Sequence, residues 1–210
     1  MKVTAINGSP HAKGNTWFAL KTAGDVLVRE GVDFQIIHVG NKNVHGCISC
    51  RQCAKNQDDK CSIRHDELNN FLPLVKDADG IILGAPVYYS GIAGIMKCFL
   101  DRLFYVSGAN GNWMRHKVGA AVTAVRRSGG SSTLDSLYHY LTISEMIVAT
   151  SNYWGIIHGQ KEEEAAQDAE GIQTMQVLGA NMAWLLALKQ AAAHIAPPPK
   201  ATKIATNFIR

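Results

Sequence analysis

The sequence predicts an α/β protein: a parallel sheet covered by helices on both faces, in a doubly wound three-layer sandwich. Three observations carry this. Short apolar runs alternate with segments of helical period along the chain. The runs are apolar at successive positions, as strands buried on both sides are. Loops rich in Gly, Ser, Asn and Pro follow them, where ligand-binding turns fall in such a sheet.

The elements follow in order. Residues 2–6 form a run rich in β-branched side chains that stops at Asn7-Gly8-Ser9-Pro10, a turn signal. Residues 16–29 space Phe18, Leu20, Leu27 and Val28 at a helical period, and Gly31 closes that helix before a strand at 34–39. Residues 40–65 carry Gly and Cys without a period and read as a long functional excursion. Asp66 is placed to cap a helix reaching Lys76, with Leu68, Phe71, Leu72 and Val75 as its apolar stripe. Residues 80–85 form a buried strand ending at Pro86, 92–106 a helix and 117–125 a second buried strand. A helix capped by Ser131 or Ser132 is expected over 131–141, a fifth strand over 145–151 and a closing helix over 168–194. Right-handed crossovers leave chiefly doubly wound topologies.

At 210 residues the chain is expected to be one domain over 1–196, with 197–210 a basic tail opened by Pro197-Pro198-Pro199. Apolar residues are 47% and charged ones 18%, which excludes disorder as the default. The net charge is +4, but Lys200, Lys203 and Arg210 sit in the tail with no acid, leaving 18 basic against 17 acidic residues in the body. A nucleic-acid binder would show a basic stripe on that body. No apolar run approaches the ~20 residues that cross a bilayer. Met1-Lys2-Val3-Thr4-Ala5-Ile6 reads as a strand rather than a secretory leader, so five cysteines point to reduced thiols, metal ligands or redox chemistry in a cytoplasmic protein.

Three strand-to-helix loops carry candidate chemistry. In the first, Gly8-Ser9-Pro10-His11-Ala12-Lys13-Gly14-Asn15-Thr16, glycines free the backbone to wrap an anion. Ser9, Asn15 and Thr16 supply short donors there, and the helix N-terminus adds unpaired N–H groups. Lys13 precedes Gly14, so the triphosphatase order is wrong, and Pro10 replaces the second glycine of a dinucleotide fingerprint. Asn7 stands where a phosphoacceptor domain needs a carboxylate. A monophosphate cup survives, beside a capped helix that binds nothing. The second loop, Gly84-Ala85-Pro86-Val87-Tyr88-Tyr89-Ser90-Gly91, offers tyrosines to a planar ring or to packing under the next helix. In the third, Val125-Arg126-Arg127-Ser128-Gly129-Gly130-Ser131, two arginines and several N–H groups face negative charge or solvent.

Cys47, Cys50, Cys53 and Cys61 read C-x2-C-x2-C-x7-C. Two-residue gaps bring thiolates to adjacent corners of an iron cube, with the fourth arriving from farther away. The seven-residue gap argues against paired zinc knuckles, and plain or redox-active thiols remain the alternative. Cys98, near Met96 and Phe99, reads as a core residue, and the eight histidines show no metal spacing.

Together these loops resemble the flavodoxin-like NADPH-dependent FMN reductase and iron–sulfur flavoprotein group over roughly residues 1–190. The resemblance implies a five-stranded parallel sheet of order 2-1-3-4-5 that binds FMN. The phosphate would lie on Ser9, His11, Gly14, Asn15 and Thr16, although His11 departs from the arginine often found in relatives. The ring would lie against Pro86, Val87, Tyr88 and Tyr89 and near Arg126, Arg127, Gly129 and Gly130. The latter loop would stabilise charge on the N1–O2 edge. The resemblance also implies a [4Fe–4S] cluster on Cys47, Cys50, Cys53 and Cys61, and a homodimer or homotetramer that completes the pocket. The activity expected is hydride acceptance from NAD(P)H and delivery to a quinone-like, aromatic, flavin or metal acceptor, with no catalytic side chain required. The alternatives are an electron carrier working with a redox partner protein, and a colourless nucleotide-binding module.

Overall fold

A computed structural model describes residues 1–204, 206 and 208. The central strand, β1 (Lys2–Asn7), is paired in parallel on both sides. On one side lies β2 (Asp33–His38), in register from Lys2 opposite Asp33 to Asn7 opposite His38. On the other lies β3 (Gly80–Tyr88), which is followed by the two-residue antiparallel β4 (Gly91–Ile92) and pairs with β5 (Val118–Val125). Beyond β5 come β6 (Ile147–Val148) and β7 (Ile156–His158), so the path runs β2-β1-β3-β5-β6. Counting only the strands of the parallel path, this is the 2-1-3-4-5 order of the flavodoxin-like fold.

Alternate residues of the buried strands feed two cores, the period of two that a doubly covered sheet requires. Ile81, Leu83 and Ala85 of β3 join one core with three helices: α3 (Leu68–Lys76), α4 (Gly94–Ala109) and α5 (Gly130–Ile143). Ile82, with Val3, Ala5, Ala120 and Val122, joins the other core with α1 (Asn15–Arg29) and α6 (Ala169–Ala191). Those two helices touch closely at Gly179, where a Cβ would lie 2.5 Å from the Ala23 carbonyl.

Three expectations need correction. The fifth strand expected over 145–151 shortens to β6, which pairs with Val118–Gly119, and an additional strand, β7, pairs with Thr123–Val125 after an excursion that carries exposed Tyr153 and Trp154. Neither Ser131 nor Ser132 caps α5: Gly129 holds that position at φ 87°, a left-handed conformation suited to glycine. The excursion at 40–65 contains one short helix, α2 (Gln52–Asn56). At the start of the basic tail, Arg115 donates to the carbonyls of Pro198 (3.0 Å) and Pro199 (3.4 Å). The tail's last basic residue, Arg210, lies outside the described residues. Among the described residues, no helix is long and apolar enough to cross a membrane.

Candidate functional site

At the carboxyl ends of β1, β3, β5 and β7, four loops ring a cleft of about 540 Å³. Ser9, His11, Gly14, Asn15 and Thr16 line one side, and Pro86, Val87 and Tyr88 another. Arg126 and the segment Gly159, Gln160, Lys161 and Glu162 complete it.

The first loop is shaped by residues beneath it. Asn7, fully buried at the end of β1, accepts from the Ser9 N–H at 3.0 Å and donates to the Ala12 carbonyl at 3.2 Å. The ring Nε2 of His38 donates to the Ser9 carbonyl at 2.7 Å, and the Ser9 hydroxyl accepts from the His11 N–H at 3.2 Å. These bonds use the inward-facing groups of the turn and lead into the first turn of α1, whose N–H groups have no helical partner.

One donor is left over. The Thr16 hydroxyl is buried and has no hydrogen-bond partner among the described residues, and Thr16 is one of the residues that line the cleft. A stranded buried hydroxyl is costly unless a ligand satisfies it. Its position in the first turn of α1, beside the cleft, suits an anionic oxygen such as that of a phosphate as the missing acceptor.

Not every candidate joins this cleft. Tyr89 is fully exposed at φ 49°, while Arg127, Gly129 and Gly130 line a separate hollow with Ser90 and His158. The Asn15 side chain is already engaged: its amide donates to the Lys161 carbonyl (2.9 Å) and accepts from the Ala165 N–H (3.2 Å). Asn15 therefore holds the fourth loop against the first.

That fourth wall, Gly159 to Glu162, was not among the sequence candidates. It follows an apolar run too short to show a period. Glu164 accepts the N–H groups of Gln160 and Lys161 at 2.7 and 2.9 Å. A Cβ at Gly159 would lie 2.7 Å from the Asn15 amide nitrogen, so only glycine allows this approach. Asn7 was likewise read only for the carboxylate it is not.

The cysteine loop forms a second constellation. Cys47, Cys50, Cys53 and Cys61 all line one hollow of about 20 Å³, with Ile48, Ile63, Tyr105 and Val106 among its apolar walls. That volume is about the size of one water. Cys47 and Cys50 are exposed, Cys53 and Cys61 buried. Among the described residues, no three His, Cys, Asp or Glu side chains converge where a single metal ion could sit. A four-iron cube makes a different demand, since its ligands ring a space and each takes a separate iron. Four cysteines on one hollow are the thiolate donors such a group takes, and the hollow as it stands, no larger than a water, would have to open to admit it.

Side chains brace this loop. Asn69 accepts from the Cys61 N–H at 2.8 Å and donates to the carbonyls of Cys61 and Ile63. Asn110 accepts from the Asp59 N–H at 3.0 Å and donates to the Cys53 carbonyl at 3.4 Å. Ser49, Arg51, Gln57 and Asp59 adopt left-handed conformations despite carrying side chains, strain that only such bracing sustains. The Ser62 hydroxyl, 3.1 Å from Cys50 Sγ, lowers that thiol's pKa, while burial raises that of Cys53. Cys98 is only partly buried and packs against the core beside Gly46.

Known proteins bear on both constellations. A family model described as NADPH-dependent FMN reductase matches residues 1–161. An iron–sulfur flavoprotein of Methanocaldococcus jannaschii is 33% identical over 195 residues, covering 90% of this chain and 98% of that protein. Among solved structures, RosB with a bound 8-demethyl-8-formylriboflavin-5'-phosphate superposes at a TM-score of 0.69 and 14% identity, covering 99% of this chain and 92% of RosB. A flavodoxin from the domain Archaea superposes at 0.59 and 18%, covering 89% of this chain and 99% of the flavodoxin. At those identities the two structures speak to the fold alone.

Proposed function

Because the chain belongs to the NADPH-dependent FMN reductase family and is an FMN-dependent oxidoreductase of flavodoxin-like fold, we propose that it takes hydride from NAD(P)H and passes electrons to a quinone-like, aromatic, flavin or metal-complex acceptor. The observation that carries this reading is the buried, unpartnered hydroxyl of Thr16, a residue that lines the four-loop cleft.

FMN would supply one- and two-electron exchange when bound. The chain's part is to bind, orient and shield. Ser9, Gly14, Thr16 and the first N–H groups of α1 would hold its phosphate, with His11 bordering the same part of the cleft. Pro86, Val87 and Tyr88 form an apolar wall for the ring, and Arg126 places a positive charge at the opposite rim. Asn15 fixes the Gly159–Lys161 wall that closes the cleft. No side-chain nucleophile or general base is assigned.

We further read the four cysteines as the seat of a [4Fe–4S] cluster, which favours electron transfer to a redox partner protein as the second reading. The supporting observation is the shared apolar hollow. Residues 1–196 form the working domain in this reading, and a homodimer or homotetramer completes it.

An absorbance spectrum of anaerobically purified protein tests both. Flavin bands, with steady NAD(P)H turnover, are expected; a broad brown shoulder with acid-labile sulfide is expected for the cluster. Protein that neither retains nor takes up riboflavin phosphate overturns the first reading. Reduction by a ferredoxin but not by NAD(P)H selects the second.

A further inference from the structure

Among the described residues, Arg102 of α4 is the largest fully buried side chain, at 1% exposure. A guanidinium has five N–H donors and no acceptor, so burial obliges it to find several partners. Nη1 and Nη2 form a two-pronged pair with the Asp66 carboxylate, whose own side chain is fully buried. Nη1 also donates to the His45 carbonyl at 3.1 Å and Nη2 to that of Ile63 at 3.4 Å. The remaining donor, Nε, points at Cys61 Sγ from 3.3 Å.

The partners lie at the two ends of the cysteine loop: His45 just before Cys47, and Ile63 and Asp66 just after Cys61. One side chain thus closes the loop at its base. Asp66 already balances the charge, so the bond to sulfur adds direction rather than net charge. None of these contacts reaches the flavin cleft.

We propose that Arg102 is the positioning residue of the cysteine loop, holding a fixed N–H donor on Cys61 Sγ that raises the reduction potential of an iron–sulfur group carried there. This rests on the cluster reading above. An electron added to such a group places more negative charge on its thiolate sulfurs, and an N–H dipole aimed at one of them favours the reduced form. Lysine could face Asp66 but has neither the planar fork nor the Nε donor, so it would release the sulfur.

The test uses the full chain, purified anaerobically and supplied with ferrous iron and sulfide. Midpoint potential, by spectroelectrochemical titration, and the iron–cysteine stretching bands, by resonance Raman, are compared in wild type, Arg102→Lys and Asn110→Ala. Asn110 braces the same loop but touches no sulfur, so its loss reports mere loosening. Arg102→Lys is expected to shift the potential downward and the stretching bands to higher frequency, with Asn110→Ala close to wild type. Unmoved potential and bands in Arg102→Lys, or equal shifts in Asn110→Ala, would overturn the proposal. Should Arg102→Lys fail to fold, the paired change Arg102→Met with Asp66→Leu replaces the buried ions by apolar groups of similar volume and carries the same expectation. A wild-type protein that keeps its flavin bands but takes up no iron and sulfide defeats the cluster reading itself, an outcome distinct from a brown protein with an unmoved potential.

Discussion

Asn15 and Lys161 are joined across 146 positions of sequence by one hydrogen bond, the Asn15 amide donating to the Lys161 carbonyl at 2.9 Å. The bond ties the helix that opens the phosphate cup to the loop that forms its far wall. Asn15→Leu is expected to free that wall while leaving α1 intact. The change also removes the bond that the Asn15 side chain accepts from the Ala165 N–H. Flavin titration by fluorescence quenching should show riboflavin phosphate bound about 10-fold more weakly, part of the net worth of these two hydrogen bonds. Undiminished affinity would mean that the wall plays no part in binding.

Thr16 gives a cleaner separation. Its hydroxyl has no partner among the described residues, so Thr16→Val removes no hydrogen bond seen there. Thermal unfolding of the flavin-free protein should be unchanged or slightly raised. Binding of riboflavin phosphate should weaken by about 10- to 100-fold, the range for a hydrogen bond to a charged group. Binding of riboflavin, which has no phosphate, should not change. Equal losses for both ligands would remove the phosphate from Thr16.

Most of the sheet was legible because each long strand is apolar on both faces and ends at a glycine- or proline-marked turn. Residues 145–158 were not, because two- and three-residue strands are shorter than any period. Of the cleft, the first loop stood out by its Gly, Ser and Asn content, and the Pro86–Tyr88 wall by its proline. Asn7 and Gly159 did not stand out, since each acts by shaping backbone that other residues present. The four cysteines declared themselves by spacing, but Arg102, 41 positions beyond Cys61, looked like any arginine on a helix.

The Asp66 and Arg102 pair sets an acid limit on stability. Burial alone would raise the Asp66 pKa, but the bonds from Arg102 and from the backbone N–H groups of His45 and Leu68 hold it below the ordinary 3.8. A depressed carboxyl pKa contributes stability above that ordinary value and loses it as pH falls through the folded one. Arg102→Ala leaves the carboxylate buried and unpaired, a loss of about 3–5 kcal/mol. Urea unfolding as a function of pH should show the gap between wild type and variant widest above pH 3.8 and narrowing as the pH falls and Asp66 takes up a proton. A gap that stays constant through the acid range would show that the pair contributes nothing to it.

Lys117 works in the opposite pH range. Its ammonium donates to the carbonyls of Val75, Lys76 and Ala78, where α3 ends, and burial pushes its pKa down to about 8. The unfolded chain keeps that proton to about 10.5. Between those values the unfolded state binds more protons, so stability rises with pH. Lys117→Met should abolish this rise and, by stranding the carbonyls, destabilise the protein by about 1–3 kcal/mol at pH 7. Parallel stability profiles for the two proteins from pH 8 to 10.5 would contradict it.

Helix α4 underlies both constellations. Met96, in its first turn, packs where a Cβ on Gly8 would fall, beneath the phosphate cup, and Arg102 lies less than two turns farther along. One rigid rod therefore sets the spacing of two chemically different centres, at about 1.5 Å per residue. Inserting one amino acid between Met96 and Arg102 would rotate everything downstream by about 100°. The dye-binding end would keep its seat while the guanidinium swung away from the sulfur. Length and phase along this stretch are thus constrained together, and only a change of whole turns could preserve the phase while lengthening the gap.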